Sequence, residues 1–423
     1  MGLYSAFYAS LSALGANSSA LGVIGNNLAN LNTIGYKGSS ATFQDIFSAS
    51  LGGLTSQGNG NPLQIGLGTR LGVVAQNFGQ GSFASTQNPL DMAIQGSGFF
   101  TVQTKDGRVA FTRAGNFTRD NNGFLVTSDG SQVLGWNRDP TTGLVNTSQT
   151  PAAVQIAAGF TTQALATAHF RLGINLNSNQ DPTAAAPHLT SPIQLYDSQG
   201  NIHTLNIQFT KQAAPPNTWT YTIVDPNGTA SFTPAVVTGS LTFNASGNLI
   251  TPPAGANPSF QVDWNNGTAT QTVTWDVRNS DGSSNLTQYA SASSTNSSYQ
   301  DGYGAGSLRD LSVDQNGIIS GTFTNGQVLA LAQVAIATFA NPNGLLQIGN
   351  SSWSQTIASG APTIGIANQG GRGGILGANL ELSNVDVAEE FTRLIVSQRG
   401  YQASSRVVTA TDQLLQETLN LKQ

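Results

Sequence analysis

Apolar residues recur every seven positions at both ends of this chain. Phe7, Leu14, Leu21 and Leu28 lie seven apart, with Tyr4 and Leu11 on a second row that Ser18 and Gly25 continue. Val387, Leu394, Tyr401, Val408 and Leu415 repeat the spacing at the other end, with Phe391 and Leu419 beside them. Heptads of this kind predict helices that pair as coiled coils. At ~1.5 Å per residue each helix is roughly 50 Å long. Ser383 and Asp386 have the spacing of a capping box at the start of the second helix, and Asn384 is another candidate N-cap. Asn26, Asn27, Asn30 and Asn32, followed by Gly35, mark the end of the first helix and a turn. Their amides can satisfy free helix carbonyls or bond to neighbouring chains.

Between the ends the period falls to two. Runs around 99–103 and 109–111 flank Asp106-Gly107, a hairpin signal that Asn122-Gly123 and Asp129-Gly130 repeat. Farther along, Gln199-Gly200, Asp225-Pro226-Asn227-Gly228 and Gly247-Asn248 separate alternating runs such as Trp219, Tyr221, Ile223 and Val273, Trp275, Val277. Loop tips are expected at Ala213–Pro216 and Pro252–Gly255. The strand pattern returns from Leu311 to Phe339, with turns at Asn316-Gly317 and Asn325-Gly326. Residues 38–70, with Phe43, Ile46, Phe47 and Leu51, read as an extended arm. Residues 291–306 read as a return linker and 349–382 as a Gly-rich return arm.

The expected fold is mainly β with paired long terminal α-helices, and nested antiparallel β domains inserted between the N- and C-terminal coiled-coil helices. The expected parts are a terminal helical polymerisation domain (1–37 and 385–423), connecting arms (38–70 and 350–384), a middle β domain (71–145 and 291–349) and an outer β domain (146–290). Termini that lie close together suit such insertion.

Charge sharpens the reading of the ends. The first charged side chain is Lys37, so the first helix has no charged outer face. It also carries Gly15, Gly22 and Gly25, each costing ~1 kcal/mol against Ala in a helix interior. Both ends could be ordinary core helices of one globular domain. The uncharged faces favour segments too weak to fold unaided, mobile in the single chain and helical on assembly.

Over its 423 residues only 9% are charged and the net charge is −5. That balance argues against nucleic-acid binding. No apolar run approaches the ~20 residues that span a membrane. With no Cys, disulfides, thiol chemistry and Cys-based zinc sites are excluded. A Sec signal peptide is not evident, so an extracellular structural protein of this composition needs another export route.

Catalytic chemistry is hard to find. His169, His188 and His203 lack zinc-ligand spacing. No G-x-S-x-G elbow is present, and Gly370-Gly-Arg-Gly-Gly lacks the P-loop lysine context. Asp197, Asp225 and Asp263 could serve a hydrolase, but no motif joins them. Asp386, Glu389 and Glu390 suit the positive end of a helix dipole. Arg393, Arg399 and Arg406 follow them, and could pair with acids or line a wet lumen. No enzyme, cofactor or metal site is expected.

The stretch Asn26–Lys37 (NNLANLNTIGYK), Ser383–Asp386 (SNVD) and Gln398–Gln402 (QRGYQ) resemble the terminal signatures of the bacterial flagellar rod and hook axial-protein family. Asn88–Phe100 and Thr112–Thr118 resemble its middle-domain motifs, while 146–290 matches less closely. The resemblance implies a helical homopolymer whose terminal helices form a coiled coil in the inner tube, the C-terminal helix facing the channel. The large insert favours the hook branch, a curved flexible tube that couples rod to filament and transmits torque. Implied partners are other copies of the chain, the distal rod protein, the hook–filament junction protein, the hook cap and the flagellar type III export apparatus. Neither nucleic acid nor membrane is implied, and the expected location is the extracellular hook of the flagellum. The expected interface residues are Tyr4, Phe7, Leu11, Leu14, Leu21, Asn26, Asn27, Leu28, Asn30, Asn32, Phe391, Leu394, Tyr401, Val408, Leu415 and Leu419. A distal rod subunit and a secreted β-rich adhesin are the alternatives.

Overall fold

The computed structural model describes residues 2–46, 48–50, 64–139, 142–157, 159–279 and 281–420. Phe47 and Leu51, expected in the first arm, fall outside them, as does the side chain of Leu419. Two helices, α1 (Gly2–Ala29) and α2 (Val387–Asn420), bracket a chain of short strands. The chain separates into two compact units.

The first unit comprises 1–158, 310–321 and 328–423. Its central sheet runs in the order Val328–Val334, Gln132–Asn137, Phe99–Gln103, Val109–Thr112, Ser352–Ser354, Leu346–Gly349. The Asp106-Gly107 turn closes the pair in which Phe100 faces Thr112 and Gln103 faces Val109. Phe99, Phe111, Ala337 and Trp353 form an apolar cluster beneath this sheet, with Phe78 and Phe339 packed against it.

The expected arms are not extended connectors. Ser39–Asp45 pairs antiparallel with Thr69–Gln76 as a two-stranded ribbon, and the Thr69 amide donates to Ser12 Oγ of α1 at 3.1 Å. Gly68 makes that approach feasible: its φ is +117°, and a Cβ there would meet Ser12 Oγ. In the return arm, Gly374–Gly377 pairs with Met92–Gln95, and Asn379–Glu381 with Phe83–Ser85. The described residues of both arms therefore pair into strands of the first unit. Gly-rich text hides short strands because their stabilisation comes from backbone pairing.

The second unit comprises 159–309 and 322–327. A five-stranded antiparallel sheet runs Leu189–Tyr196, Ile202–Lys211, Thr218–Val224, Val237–Phe243, Leu249–Thr251. Alternation sets its faces: Ser191, Ile193 and Leu195 point inward, while Thr190, Pro192 and Gln194 point out. A second sheet contributes Phe170, Phe260, Val273 and Trp275 to the same core. Trp275 stacks on Phe170 at 6.0 Å and meets Tyr221 edge-on at 5.0 Å. This second sheet is mixed, because His169–Asn175 runs parallel to Gln271–Trp275 and Leu286–Thr287. The expected linker 291–306 contains a strand, Ser294–Gln300, paired antiparallel with His169–Asn175. Its polar side chains carry no alternation, so only the backbone ladder marks it.

The acids considered for hydrolysis organise turns instead. Buried Asp197 accepts from the amides of Gln199 and Asn201 at 2.9 Å, from Asn266 Nδ2 at 2.8 Å, and pairs with His203 Nε2 at 3.0 Å. Asp225 accepts from the amides of Asn227, Thr229 and Ala230. Burial pushes the Asp197 carboxyl up, but the hydrogen bonds from His203, Asn201 and Asn266 outweigh it and hold it well below 3.8. A depressed folded-state value stabilises above the unfolded value and is lost in acid. Asp197→Ala is expected to destabilise the second unit by about 1–3 kcal/mol at neutral pH. Urea unfolding should show the gap between variant and parent narrowing as pH falls below 3.8.

Candidate assembly interface at the chain termini

The two helices pack antiparallel. Near the end of α1, the Gly38 amide donates to Asn384 Oδ1 at 2.9 Å, just before α2 begins. Toward the middle, a Cβ on Gly400 would lie 3.1 Å from Asn17 Oδ1. The buried face of α1 is Ala16, Ala20, Ile24 and Asn27, covered by α2 and by the ribbon, which Asn27 meets at Ser39. Along α2 the seam is buried Glu390 and Thr411 with half-buried Leu394, Ser397, Ser404, Val408 and Leu415, a four–three spacing. The period expected from sequence is present, but its phase on α1 differs. Gly400 gives the Asn17 side chain room against α2.

The expected rows are thereby divided. Phe7, Leu14, Leu21 and Leu28 are half-buried, and Tyr4 and Leu11 are exposed. On α2, Phe391 and Tyr401 are exposed, as are Ile395 and Val396. Asn26 and Asn32 are exposed and Asn30 half-buried. Asn30 Nδ2 donates to the Asn26 carbonyl at 2.9 Å, satisfying a terminal acceptor of the helix.

Asn27 is turned inward, 1% exposed, and so is removed from the expected interface. Its Nδ2 donates to the Ser39 carbonyl at 2.7 Å, and its Oδ1 accepts from the Ser39 amide at 2.9 Å. The amide thus mimics a strand partner for the first residue of the ribbon. At the start of α2, Asp386 is the N-cap, accepting from the Ala388 and Glu389 amides at 2.8 and 3.1 Å. The expected capping box at Ser383 does not form. Asn384 instead donates to the carbonyls of Asn77 and Gly79 at 2.7 and 3.0 Å.

Beneath the helix pair lies a buried ion cluster that sequence reasoning missed. Lys37 Nζ is 2.6 Å from Glu381 Oε1, and Arg113 Nη1 is 3.2 Å from Glu381 Oε2. The Lys37 and Glu381 side chains are fully buried and that of Arg113 is 5% exposed. Further bonds reach the backbone around it. Lys37 donates to the Gly79 carbonyl at 2.8 Å, Arg113 to the Gly96 carbonyl at 2.7 Å, and the Gly81 amide to Glu381 at 2.9 Å. Burial pulls the Lys37 ammonium below its ordinary value, against the hydrogen bond and charge of Glu381. Gly35 lets the chain enter: its φ is +66°, its amide donates to the Glu381 carbonyl at 2.8 Å, and a Cβ would collide with the Ala114 backbone nitrogen. The cluster joins the chain after α1, the strand before α2 and the β body at one point.

The single chain therefore carries both helices formed and paired, where the sequence suggested ends that fold only on assembly. The α1–α2 seam and the ion cluster supply the contacts that the isolated-segment argument left out. What stays unpaired is the outward row of α1. Tyr4, Tyr8, Leu11, Gly15, Ser18, Gly22 and Gly25 are exposed at four–three spacing, with no charge among them.

Comparison with known proteins agrees with this layout. The model of the flagella basal body rod protein matches residues 7–37, and that of the flagellar basal body rod FlgEFG protein C-terminal matches 377–421. Between them, the flagellar hook protein FlgE/F/G D1 domain matches 93–168 and the flagellar basal body protein FlaE D2 domain matches 175–303. The crystal structure of the Helicobacter pylori flagellar hook protein FlgE2 covers 70% of this chain and 100% of its own, with a TM-score of 0.52 at 16% identity, which shows a shared fold. These matches define a structural protein of the flagellar hook and basal body.

Relatives over the full length narrow the class. The flagellar hook protein FlgE of Borreliella burgdorferi is 34% identical, covering 98% of this chain and 99% of the relative. That of Salmonella typhimurium is 31% identical, covering 98% and 100%, and that of Rhizobium meliloti 33%, covering 100% of both. The chain belongs to the flagellar hook protein FlgE family. Its role is that of a hook subunit, and the rod and adhesin alternatives give way to it.

Proposed function

We propose that this subunit builds the hook by burying the outward rows of its terminal helices against other copies. One observation carries the reading: α1 presents an exposed heptad row without charge. A solvated helix face is normally charged, and glycines on it weaken the helix. Open space around Gly15, Gly22 and Gly25 suits the close approach of another helix. Exposed Phe391, Ile395 and Val396 offer α2 a matching apolar surface.

In this reading the terminal helices of 1–37 and 385–423 polymerise, while the rest of the first unit, its boundary at 158/159 where 145/146 was expected, forms the middle β body. The second unit supplies outer contacts that change register as the tube bends and transmits torque. Surfaces rich in Gly, Ser, Thr and Asn suit such sliding, because no buried ion pair must break. The subunit acts mechanically, without catalysis. The reading includes type III export, a curved extracellular tube, and end contacts with the distal rod protein, hook cap and hook–filament junction protein. Deleting residues 2–29 is expected to abolish hooks while the second unit keeps its unfolding transition. Tubes of normal length from the deleted chain would refute the reading.

A further inference from the structure

Away from the helices, the first unit carries an exposed apolar feature that neither core nor helix pair uses. Ile357 is fully exposed, at 103%. It sits on a turn whose conformation is held tightly. Thr356 Oγ1 donates to the Gly344 carbonyl at 2.6 Å, and the Thr356 amide donates to Ser359 Oγ at 2.9 Å. The Ala358 and Ser359 amides donate to Thr356 Oγ1 at 3.1 and 3.2 Å, and Asn341 Nδ2 donates to the Ala358 carbonyl at 3.0 Å. Ser359 is itself buried. The turn is therefore ordered beforehand, so burying its apolar tip loses little conformational entropy.

Immediately after Gly344 comes the strand Leu346–Gly349, which ends the sheet order among the described residues. Leu346 and Ile348 are 59% and 49% exposed, and the ladder is irregular at Ile348, which has no partner between the Gln347–Trp353 and Gly349–Ser352 pairs. An exposed edge strand is normally guarded by charge or proline. Here no Asp, Glu, Lys, Arg or His occurs anywhere between Asp314 and Arg372. A neutral apolar tip beside an unguarded edge is built to meet a surface equally free of charge.

We propose that the Ile357 turn and the Leu346–Gly349 edge form a second contact between copies of this chain, separate from the terminal helices. The uncharged composition selects the occupant: such a surface has nothing with which to recognise a charged partner, while another copy is uncharged over the same segment. A tip on one face that meets a different face of the next copy is a head-to-tail contact, the kind that propagates a helical polymer. This inference rests on the polymer reading above.

The chain has no cysteine, so single cysteines give clean probes. Full-length Ile357→Cys, carrying a benzophenone maleimide, would be irradiated in isolated hooks beside Leu11→Cys as a reference for the helices. Covalent dimers of the chain from both are expected. Dimers from Leu11→Cys alone would overturn this contact and leave the helix reading standing. Dimers from Ile357→Cys alone would keep the contact and remove the helix reading. Dimers from neither, or an Ile357→Cys adduct with a different protein, would overturn it. Ile357→Asp should leave the unfolding curve of the single chain unchanged and raise the concentration needed for polymerisation by at least about tenfold, as for an interface hot spot. An unchanged concentration would count against the contact.

Discussion

Glu381→Ala is expected to destabilise the first unit by about 3–5 kcal/mol, the scale for removing one partner of a buried ion pair. The loss is large because Lys37 and Arg113 would both remain buried without their acid, and the Gly81 amide would lose its acceptor. Lys37→Met should cost less, since Glu381 then keeps Arg113 and one cation faces one anion. The two variants thus rank the cluster's parts. Thermal unfolding should show the transition of the first unit falling in the order parent, Lys37→Met, Glu381→Ala, with that of the second unit unmoved. Equal effects from both substitutions would mean that packing, not charge, governs the junction.

Leu11→Asp carries the second large effect, on assembly in place of folding. Leu11 is 50% exposed in the single chain, so an aspartate there stays hydrated and should alter monomer stability by no more than about 0.5 kcal/mol. In the polymer that charge would be buried against an uncharged row with no cation to pair it. Hook formation should fail, and Phe391→Asp on α2 should fail likewise. Motility and electron microscopy of the variants check this. Leu14→Asp is a poorer test, because half-buried Leu14 would mix folding loss with assembly loss.

Much of the fold was legible from particular residues. Asp106-Gly107, Asn122-Gly123 and Asp129-Gly130 each marked a hairpin that forms, whereas Asn227-Gly228 joins strands of different sheets. Trp219, Tyr221 and Ile223 announced a strand by alternation, and all three are buried. The heptads announced two long helices. Their phase on α1 was not legible, since large apolar residues look like the seam whereas the buried face carries Ala16 and Ala20. Nor was the strand Ser294–Gln300, whose side chains are polar and mostly exposed.

The ion cluster was hidden for a different reason. Lys37, Arg113 and Glu381 are far apart in sequence, and no local pattern joins them. A signal did exist: in a chain only 9% charged, Glu381 stands alone between Leu380 and Leu382, and Lys37 follows a long uncharged helix. Isolated charges in apolar text are candidates for buried pairs. Of the expected interface, Tyr4, Leu11, Phe391 and Tyr401 stand outward, while Asn27 was claimed by the ribbon.

The central claim is that copies of the chain cover the outward helix rows. Thiol labelling of a single Leu11→Cys tests it most directly, comparing free subunits with assembled hooks. The account predicts rapid labelling of the free chain and strong protection in the hook. Equal labelling rates in the two states would contradict it.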